Sequence, residues 1–140
     1  MRTVTETADV FKALGDETRL RIVHLLLHSD TALCVCEMVD SLHLPQYQIS
    51  RHLGVLKNAG VVAVDRKGTW AYYCLVQNGN LLRALWQVLE RSLKQQQFSR
   101  DAAQLDLRLA QRAHGECVVG FVSLEEPGGK TVQSRADVKT

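Results

Sequence analysis

The chain has 140 residues and a formal net charge of +2, and 46% of its residues are hydrophobic. This length fits one domain, with or without a tail, whose modest core makes dimerisation an expected way to bury further apolar surface. No apolar run approaches the roughly 18 residues that span a bilayer, and the first residues lack a signal-peptide pattern. We therefore expect a cytoplasmic protein with no membrane partner, whose four cysteines are thiols or metal ligands rather than disulfides.

The charge is distributed unevenly along the chain. Residues 1–40 carry four Lys or Arg against seven Asp or Glu, whereas residues 41–70 carry four against one. Residues 71–97 add a further +2, and residues 98–140 are neutral overall. The positive charge therefore lies in the middle of the chain, which suits a partner with a phosphate backbone.

Two helices are predicted before this basic segment. The first begins near Thr3, which forms a capping-box pattern with Glu6, and it ends at Gly15. The second runs from Glu17 to His28, with Asp16 as its N-cap. Its apolar arc is broad, as is typical of a central helix.

Residues 34–53 are typical of two short helices joined by a tight turn. The second helix is predicted to begin with Pro45 as its first helical residue, and Ile49, Leu53 and Leu56 form its apolar stripe. Its opposite face carries no carboxylate and comprises Tyr47, Arg51, Gly54 and Asn58, with Gln48 and Ser50 on the flanks. Such a face suits hydrogen bonds with base edges in the major groove of DNA, although an ordinary solvated helix face is the alternative.

A β-hairpin is predicted next. Its strands cover Val61–Asp65 and Thr69–Val76, and its basic tip is Arg66-Lys67-Gly68. Beside a helix–turn–helix, such a hairpin is a wing whose tip contacts phosphate or the minor groove. A solvated turn is the alternative.

The last part of the chain predicts one more clear helix and one weaker one. Asn78 to Lys94 is strongly apolar, with Trp86 on its flank, and we interpret it as a dimer face. Gln95-Gln96-Gln97 is predicted to be a linker. We therefore expect a winged-helix DNA-binding and dimerisation domain over residues 1–97. A C-terminal extension follows over residues 98–140, with one helix from Ser99 to Ala113 and a loosely ordered tail.

The order of these elements is similar to that of the ArsR/SmtB family of metal-responsive repressors. The Asp16-Glu17-Thr18-Arg19-Leu20-Arg21-Ile22 segment and the Cys34-Val35-Cys36-Glu37 box carry the resemblance, which covers residues 3–94. It implies a mainly α fold with a small β-hairpin, a homodimeric winged helix–turn–helix. It also implies a repressor without catalytic activity that binds operator double-stranded DNA without a cofactor and releases it when an inducer binds.

The resemblance also implies which residues contact DNA. By position these are Gln46, Tyr47, Ser50 and Arg51 in the recognition helix and Arg66 and Lys67 in the wing. We add Gln48 because it flanks the polar face of the same helix. We interpret His52 as a packing or capping residue.

The cysteine pair resembles the arsenic-sensing box of this family, in which Cys-Val-Cys is followed by an acidic residue, an apolar one and a third cysteine. Here Val39 stands at the third position, so the number of ligands stays open. Two neighbouring thiolates favour As(III) or Sb(III) as the inducer, with Cd(II) or Pb(II) as alternatives. Cys117 is the candidate third ligand beside Cys34 and Cys36; a cellular thiol or water are the other options.

Other candidate metal ligands carry less weight. Cys74 is interpreted as an unpaired strand thiol, and His24 and His28 as solvated or core-edge residues rather than a metal pair. Zinc or nickel is not expected on the terminal dimer helix, because that helix contains neither Asp nor His.

The spacing of the pair indicates a mechanism. Residues i and i+2 of a regular helix point about 200° apart, so one ion meets both sulfurs only if the backbone is non-helical around Val35. We hypothesise that ligation distorts the Cys34–Leu42 helix and misorients the recognition helices, weakening operator binding about 5–150-fold.

Three other functions stay open at this point. Redox sensing would use Cys34, Cys36 or Cys117 as oxidisable thiols. A thiol-exchange enzyme is opposed by the lack of a Cys/His/Asp constellation or a phosphate loop in the sequence. A DNA-packaging protein with no ligand is the third.

Overall fold

A computed structural model of the protein describes residues 2–112. In this part of the chain the helices are α1 (Val4–Leu14), α2 (Glu17–His28), α3 (Val35–Leu42), α4 (Gln46–Asn58), α5 (Asn80–Ser92) and α6 (Gln96–Leu109), and the strands are β1 (Leu33–Cys34), β2 (Val62–Lys67) and β3 (Trp70–Leu75). The predicted fold class, mainly helical with a small β-hairpin, is confirmed. No described helix is long and apolar enough to cross a membrane.

The first two helices begin where their capping residues predict. The Glu6 N–H donates to Thr3 Oγ1 at 3.0 Å and the Thr3 N–H donates to Glu6 Oε1 at 2.9 Å, which completes the capping box. Asp16 Oδ2 accepts from the Arg19 N–H at 3.0 Å at the start of α2. These bonds satisfy N–H groups that have no partner within the helix.

The turn between α3 and α4 is three residues long. His43 ends α3 with a left-handed backbone (φ 58°), which reverses the chain tightly. Pro45 is the extended N-cap of α4 (φ −64°, ψ 150°), and its carbonyl oxygen accepts from the Ile49 N–H at 3.1 Å. The helix therefore begins one residue later than predicted, with Gln46 as its first residue.

The three strands form one antiparallel sheet in the order β1-β3-β2. Val62 pairs with Leu75 and Lys67 with Trp70, so the hairpin turn consists of Gly68 and Thr69, and Gly68 has a positive φ of 63°. The prediction that Arg66 and Lys67 form the turn is wrong, because both belong to the end of β2. β1 was not predicted, since two residues carry no periodicity.

All six described helices contribute to one hydrophobic core. Ile22, Leu53, Leu82 and Leu105, from α2, α4, α5 and α6, are each almost fully buried in it. Trp86 is also buried, and its indole N–H donates to the Val76 carbonyl at 2.8 Å. Its predicted place on the flank of the dimer helix is therefore wrong, because it belongs to the core cluster and bonds to the residue directly after β3.

The helix α6 packs against α2 and α3. It begins at Gln96, with Gln95 as its N-cap, so the predicted linker is absent and the proposed boundary at residue 97 falls inside this helix. The predicted helix at Ser99–Ala113 is present with these earlier bounds. Residues 96–109 thus share the core of the winged helix, while an extension beyond residue 112 stays a prediction.

Candidate functional site

The two cysteine sulfurs lie side by side. The Sγ atoms of Cys34 and Cys36 are 2.9 Å apart, and both residues are buried, with exposures of 0% and 2%. Cys34 ends β1 and caps α3 with an extended backbone (φ −90°, ψ 164°), whereas Cys36 lies in the first turn of the helix. The non-helical backbone that the spacing requires is thus present, at Cys34 rather than Val35. No distortion of α3 is needed to bring the sulfurs together.

A buried carboxylate holds this backbone conformation. Glu37 is fully buried, and its Oε1 accepts from the Cys34 N–H at 3.0 Å. The same carboxylate receives Arg112 at two points, Nε to Oε2 at 2.6 Å and Nη2 to Oε1 at 2.6 Å. Such two-point pairs combine charge attraction with a fixed geometry.

Arg112 follows α6 and also contacts residues that precede Cys34 or pair with it in the sheet. Its Nη2 donates to the Ala32 carbonyl at 2.7 Å, and its guanidinium carbon lies 5.4 Å from the centre of the Tyr72 ring. Burial by itself lowers the pKa of Arg112, but the hydrogen bonds and the charge of Glu37 outweigh it and raise the pKa above its usual value. Arg112 is therefore a permanent cation at this position.

A second arginine of α6 contacts Cys36. Arg108 is fully buried; its Nε donates to Asp40 Oδ2 at 2.9 Å and its Nη2 donates to Cys36 Sγ at 3.6 Å. A guanidinium beside a sulfur stabilises the thiolate, which is the form that binds metals. Asp40 and Glu37 both belong to α3, so α3 presents two carboxylates to the two arginines.

Sequence reasoning missed these arginines and gave no role to Glu37. A signal was available, because Asp101, Arg108 and Arg112 are spaced seven and four residues apart and therefore share one face of a helix. Asp101 makes the third ion pair of this face, accepting at Oδ2 from Arg21 Nε at 2.8 Å.

The described residues supply two soft ligands for an ion. Residues 2–112 contain no group of three or more His, Cys, Asp or Glu side chains arranged to hold a metal. The two sulfurs of Cys34 and Cys36 fit a thiophilic ion, to which they would supply two ligands. Cys117, the predicted third ligand, lies outside the described residues.

The remaining candidate ligands have other surroundings. Cys74 is exposed on β3 and lines a cleft of about 160 Å³ with Tyr72 and Arg112. His28 Nε2 lies 3.0 Å from Asp106 Oδ1, and the His24 ring stacks against His28 with ring centres 6.2 Å apart. The two histidines thus pack between α2 and α6.

The helix α4 presents the predicted polar face. Ile49, Leu53 and Leu56 are buried with exposures of 0%, 1% and 0%. On the other side Tyr47 is 71% exposed, Ser50, Arg51, Gly54 and Asn58 are exposed, and Gln46 and Gln48 are half-buried. Arg66 and Lys67 are exposed at the end of β2.

His52 is a packing residue, as predicted. It is buried, and its Nδ1 lies 3.1 Å from Arg19 Nη1. Because a guanidinium only donates, we assign Nδ1 as the acceptor of a neutral ring. Burial lowers the pKa of His52, and the charge of Arg19 lowers it further against the opposing effect of Asp16.

The cysteine pair and the wing share one sheet. Cys34 pairs with Tyr72 of β3, and Tyr72 pairs with Asp65 of β2. The pair also lies at the start of α3, and a turn of three residues joins the other end of α3 to α4. It is therefore linked to the hairpin through β1 and to α4 through α3.

Comparison with known proteins identifies the family. Residues 16–64 match the family described as "Bacterial regulatory protein, arsR family". An uncharacterized HTH-type transcriptional regulator of Methanocaldococcus jannaschii is 44% identical over 78 residues, which cover 56% of this chain and 86% of that protein. The chain belongs to the ArsR family. This ArsR-family protein is therefore a transcriptional regulator and not an enzyme.

Other relatives have names that state a function. "Arsenic resistance transcriptional regulator ArsR1" of Pseudomonas putida is 47% identical over 75 residues, covering 54% of this chain and 58% of that protein. "Cadmium resistance transcriptional regulatory protein CadC" of Listeria innocua is 40% identical over 75 residues, covering 54% of this chain and 61% of that protein. The match to this ArsR-family chain thus spans little more than half the length of these two relatives.

Solved structures confirm the winged-helix fold of this ArsR-family regulator. HlyU from Vibrio cholerae superposes with a TM-score of 0.57 at 30% identity, covering 65% of this chain and 95% of HlyU. The transcriptional repressor PagR of Bacillus anthracis superposes with a TM-score of 0.53 at 28% identity, covering 61% of this chain and 94% of PagR.

Proposed function

We propose that this ArsR-family regulator is a metal(loid)-responsive repressor, which binds operator DNA as a dimer and releases it when As(III) or Sb(III) binds Cys34 and Cys36. The observation that carries the proposal is the 2.9 Å separation of two buried sulfurs at the start of the helix–turn–helix. Soft ligands favour thiophilic ions over hard cations.

The binding chemistry balances with two or three thiols. Arsenite, As(OH)₃, reacts with two thiols to give (RS)₂As–OH and two waters, and a third thiol replaces the last hydroxyl as a third water. Cys117 is our candidate for that third thiol. It follows Arg112 by five residues, a reach of at most about 17 Å, and Arg112 itself contacts the Cys34 cluster. A thiol of the same chain is therefore our first choice for the third ligand.

Two classes of ion suit the cysteine pair. The relatives carry names of arsenic and of cadmium resistance, and two sulfurs also suit Cd(II) and Pb(II). We propose As(III) or Sb(III) first, because the Cys-Val-Cys box resembles the arsenic-sensing one.

We propose that the recognition helix α4 enters the major groove and that β2 and β3 form the wing. The DNA-facing residues of this proposal are Gln46, Tyr47, Gln48, Ser50, Arg51, Arg66 and Lys67. The exposed amide, hydroxyl and guanidinium groups on α4 support base contacts, and the two exposed cations of β2 support phosphate contacts.

The dimer is part of the proposal as well. Val4 and Phe11 on α1 and Val88 on α5 are 87%, 53% and 56% exposed. Apolar side chains this exposed on two helices favour burial against a second copy of the chain. A dimer would present two recognition helices to successive turns of the operator.

Induction then requires coupling between the pair and the DNA-facing elements. Since the sulfurs already lie together, we replace the proposed distortion of α3 with displacement of α3 and β1 when the ion enters the buried cluster. The short turn transmits this movement to α4, and the Cys34–Tyr72 pairing transmits it to the wing. A coupling of roughly 1–3 kcal/mol weakens operator binding about 5–150-fold.

A gel-shift experiment on the upstream region of the protein's own gene tests the proposal. Fully reduced protein is titrated with As(III), Sb(III), Cd(II), Pb(II) and Zn(II). We expect DNA binding without ions and release by As(III) or Sb(III). Cys34→Ser and Cys36→Ser should bind DNA and ignore the ion, while the matched control Cys74→Ser, an exposed strand thiol, should respond normally. Retained release in both site variants would refute the proposed site.

Redox sensing is the second candidate, and the same sulfur separation favours it. A peroxide would oxidise the two thiols to a disulfide and be reduced to two waters. Release of DNA by peroxide, with no release by any ion under full reduction, would favour this candidate over metal sensing.

A further inference from the structure

Arg112 contacts four residues that surround Cys34. Its guanidinium donates to the carbonyl of Ala32, two residues before Cys34, and to the carboxylate of Glu37, three residues after it. It also lies over the ring of Tyr72, the sheet partner of Cys34, and its Nη1 is 3.4 Å from Thr31 Oγ1. The residue that follows α6 at position 112 therefore contacts the chain on both sides of Cys34 and its partner in the sheet.

The contact with Glu37 continues to the backbone of Cys34. Arg112 fixes both carboxylate oxygens of Glu37, and Oε1 in turn accepts from the Cys34 N–H at 3.0 Å. This bond holds Cys34 as the extended N-cap of α3, which is the conformation that places its sulfur 2.9 Å from that of Cys36. The Cys34 backbone is thus linked through Glu37 to a residue 78 positions later in the chain.

Only an arginine fits this arrangement. The planar guanidinium offers donors to Glu37, to the Ala32 carbonyl and to Thr31 at once, while its face covers Tyr72. A lysine ammonium keeps the charge but loses the fork and the flat face.

We propose that Arg112 is a positioning residue for the ion site, which acts through Glu37 to hold the Cys34 sulfur beside that of Cys36. The inference rests on the proposed function, and it makes the end of α6 part of the sensor. Partners behind a ligand fix its orientation, and their loss typically lowers metal affinity about 10–100-fold.

The test measures arsenite and Cd(II) affinity of the full chain. Trp70 packs against the Cys34, Cys36 and Tyr72 cluster, so its fluorescence reports on binding. Arg112→Ala should weaken affinity at least about tenfold. The affinities of Arg112→Lys and Glu37→Gln should lie between those of the wild type and Arg112→Ala. The lysine keeps the charge but loses the two-point contact with Glu37, and the glutamine keeps an oxygen for the Cys34 N–H but loses the charge.

The matched control is Asp101→Asn, which removes the ion pair that joins the first half of α6 to Arg21. It loosens α6 without touching Glu37, so we expect affinity within about twofold of the wild type. An equal loss in Asp101→Asn and Arg112→Ala would overturn positioning by Arg112 in favour of helix docking in general. Wild-type affinity in Arg112→Ala, or full recovery by Arg112→Lys, would overturn it as well.

A second readout needs no ion. Alkylation of Cys34 by iodoacetamide, followed by peptide mass spectrometry, should be faster in Arg112→Ala than in the wild type and unchanged in Asp101→Asn. An unchanged rate in Arg112→Ala would contradict the inference. If wild-type protein binds neither ion, the proposed function fails, while this alkylation result still decides the role of Arg112.

Discussion

Arg108 and Asp40 form a buried ion pair across the α3–α6 interface, with Nε 2.9 Å from Oδ2 and both side chains at most 7% exposed. Loss of one partner leaves a buried charge uncompensated. We therefore expect Arg108→Met to lower the free energy of unfolding by about 3–5 kcal/mol. Urea denaturation measures this change.

The double variant Arg108→Met/Asp40→Leu should recover most of that loss, because neither charge then stays buried. Arg91→Ala, an exposed change on α5, serves as the control and should have little effect. A single variant as stable as the wild type would show that this pair does not hold α6 in place.

Substitution of Gly54 should change the stability of α4 and its affinity for DNA in opposite directions. A Cβ built on this residue meets no atom within 4 Å, so Gly54→Ala adds no clash. Alanine is favoured over glycine inside a helix by about 1 kcal/mol, and we expect a rise in unfolding free energy of up to that amount. Operator affinity should fall, since the new methyl group lies on the DNA-facing side of α4. Unchanged affinity would place the DNA backbone away from Gly54.

Arg51 and Lys67 should affect DNA binding in different ways. Arg51→Ala should cost about 1–3 kcal/mol of operator affinity and relax the preference at one base pair, as loss of a base contact does. Lys67→Ala should weaken binding to all sequences and reduce the slope of log affinity against log salt by about one. Competition binding with single-base operator variants at several salt concentrations measures both. Identical profiles for the two variants would contradict these assignments.

Stability should fall as the solution becomes acidic. Burial lowers the pKa values of both His24 and His52 from 6.5 in the folded protein, with His28 and Arg19 adding to the effect. The unfolded chain therefore binds protons more readily, so this stability is present above about pH 6.5 and is lost as the pH falls below it. Urea midpoints at pH 7.5 and 5.5 measure the difference. His24→Gln/His52→Gln should have the smaller dependence, and an equal dependence would assign it to other groups.

Sequence patterns predicted the elements that have strong periodicity or caps. The bounds of α2 and the buried stripe of α4 match the prediction because apolar spacing and the Asp16 cap both depend on local chemistry. The errors lie where tertiary contacts decide. Gln96 and Gln97 look like a linker in the sequence, yet they form the first turn of a helix that is held by ion pairs to α2 and α3.

The sequence predicted the cysteine pair of the candidate site but not the residues that surround it. The cysteine spacing identified the pair, and the same spacing showed that the backbone there must be non-helical. Arg108 and Arg112 contact residues about 70 positions earlier in the chain. Their spacing indicates a shared helix face, but it does not identify the carboxylates with which they pair. The conformation of Cys34 likewise depends on its pairing with Tyr72, 38 residues later.

The link from Arg112 back to Glu37 has a consequence for how the protein is made. A ribosome releases the chain from its N-terminus, so α4 emerges well before Arg112. Because α5 and α6 share one core with α4, that core is completed only when α6 has emerged as well. The ion pair between Arg112 and Glu37 therefore forms only after the chain as far as Arg112 has left the exit tunnel.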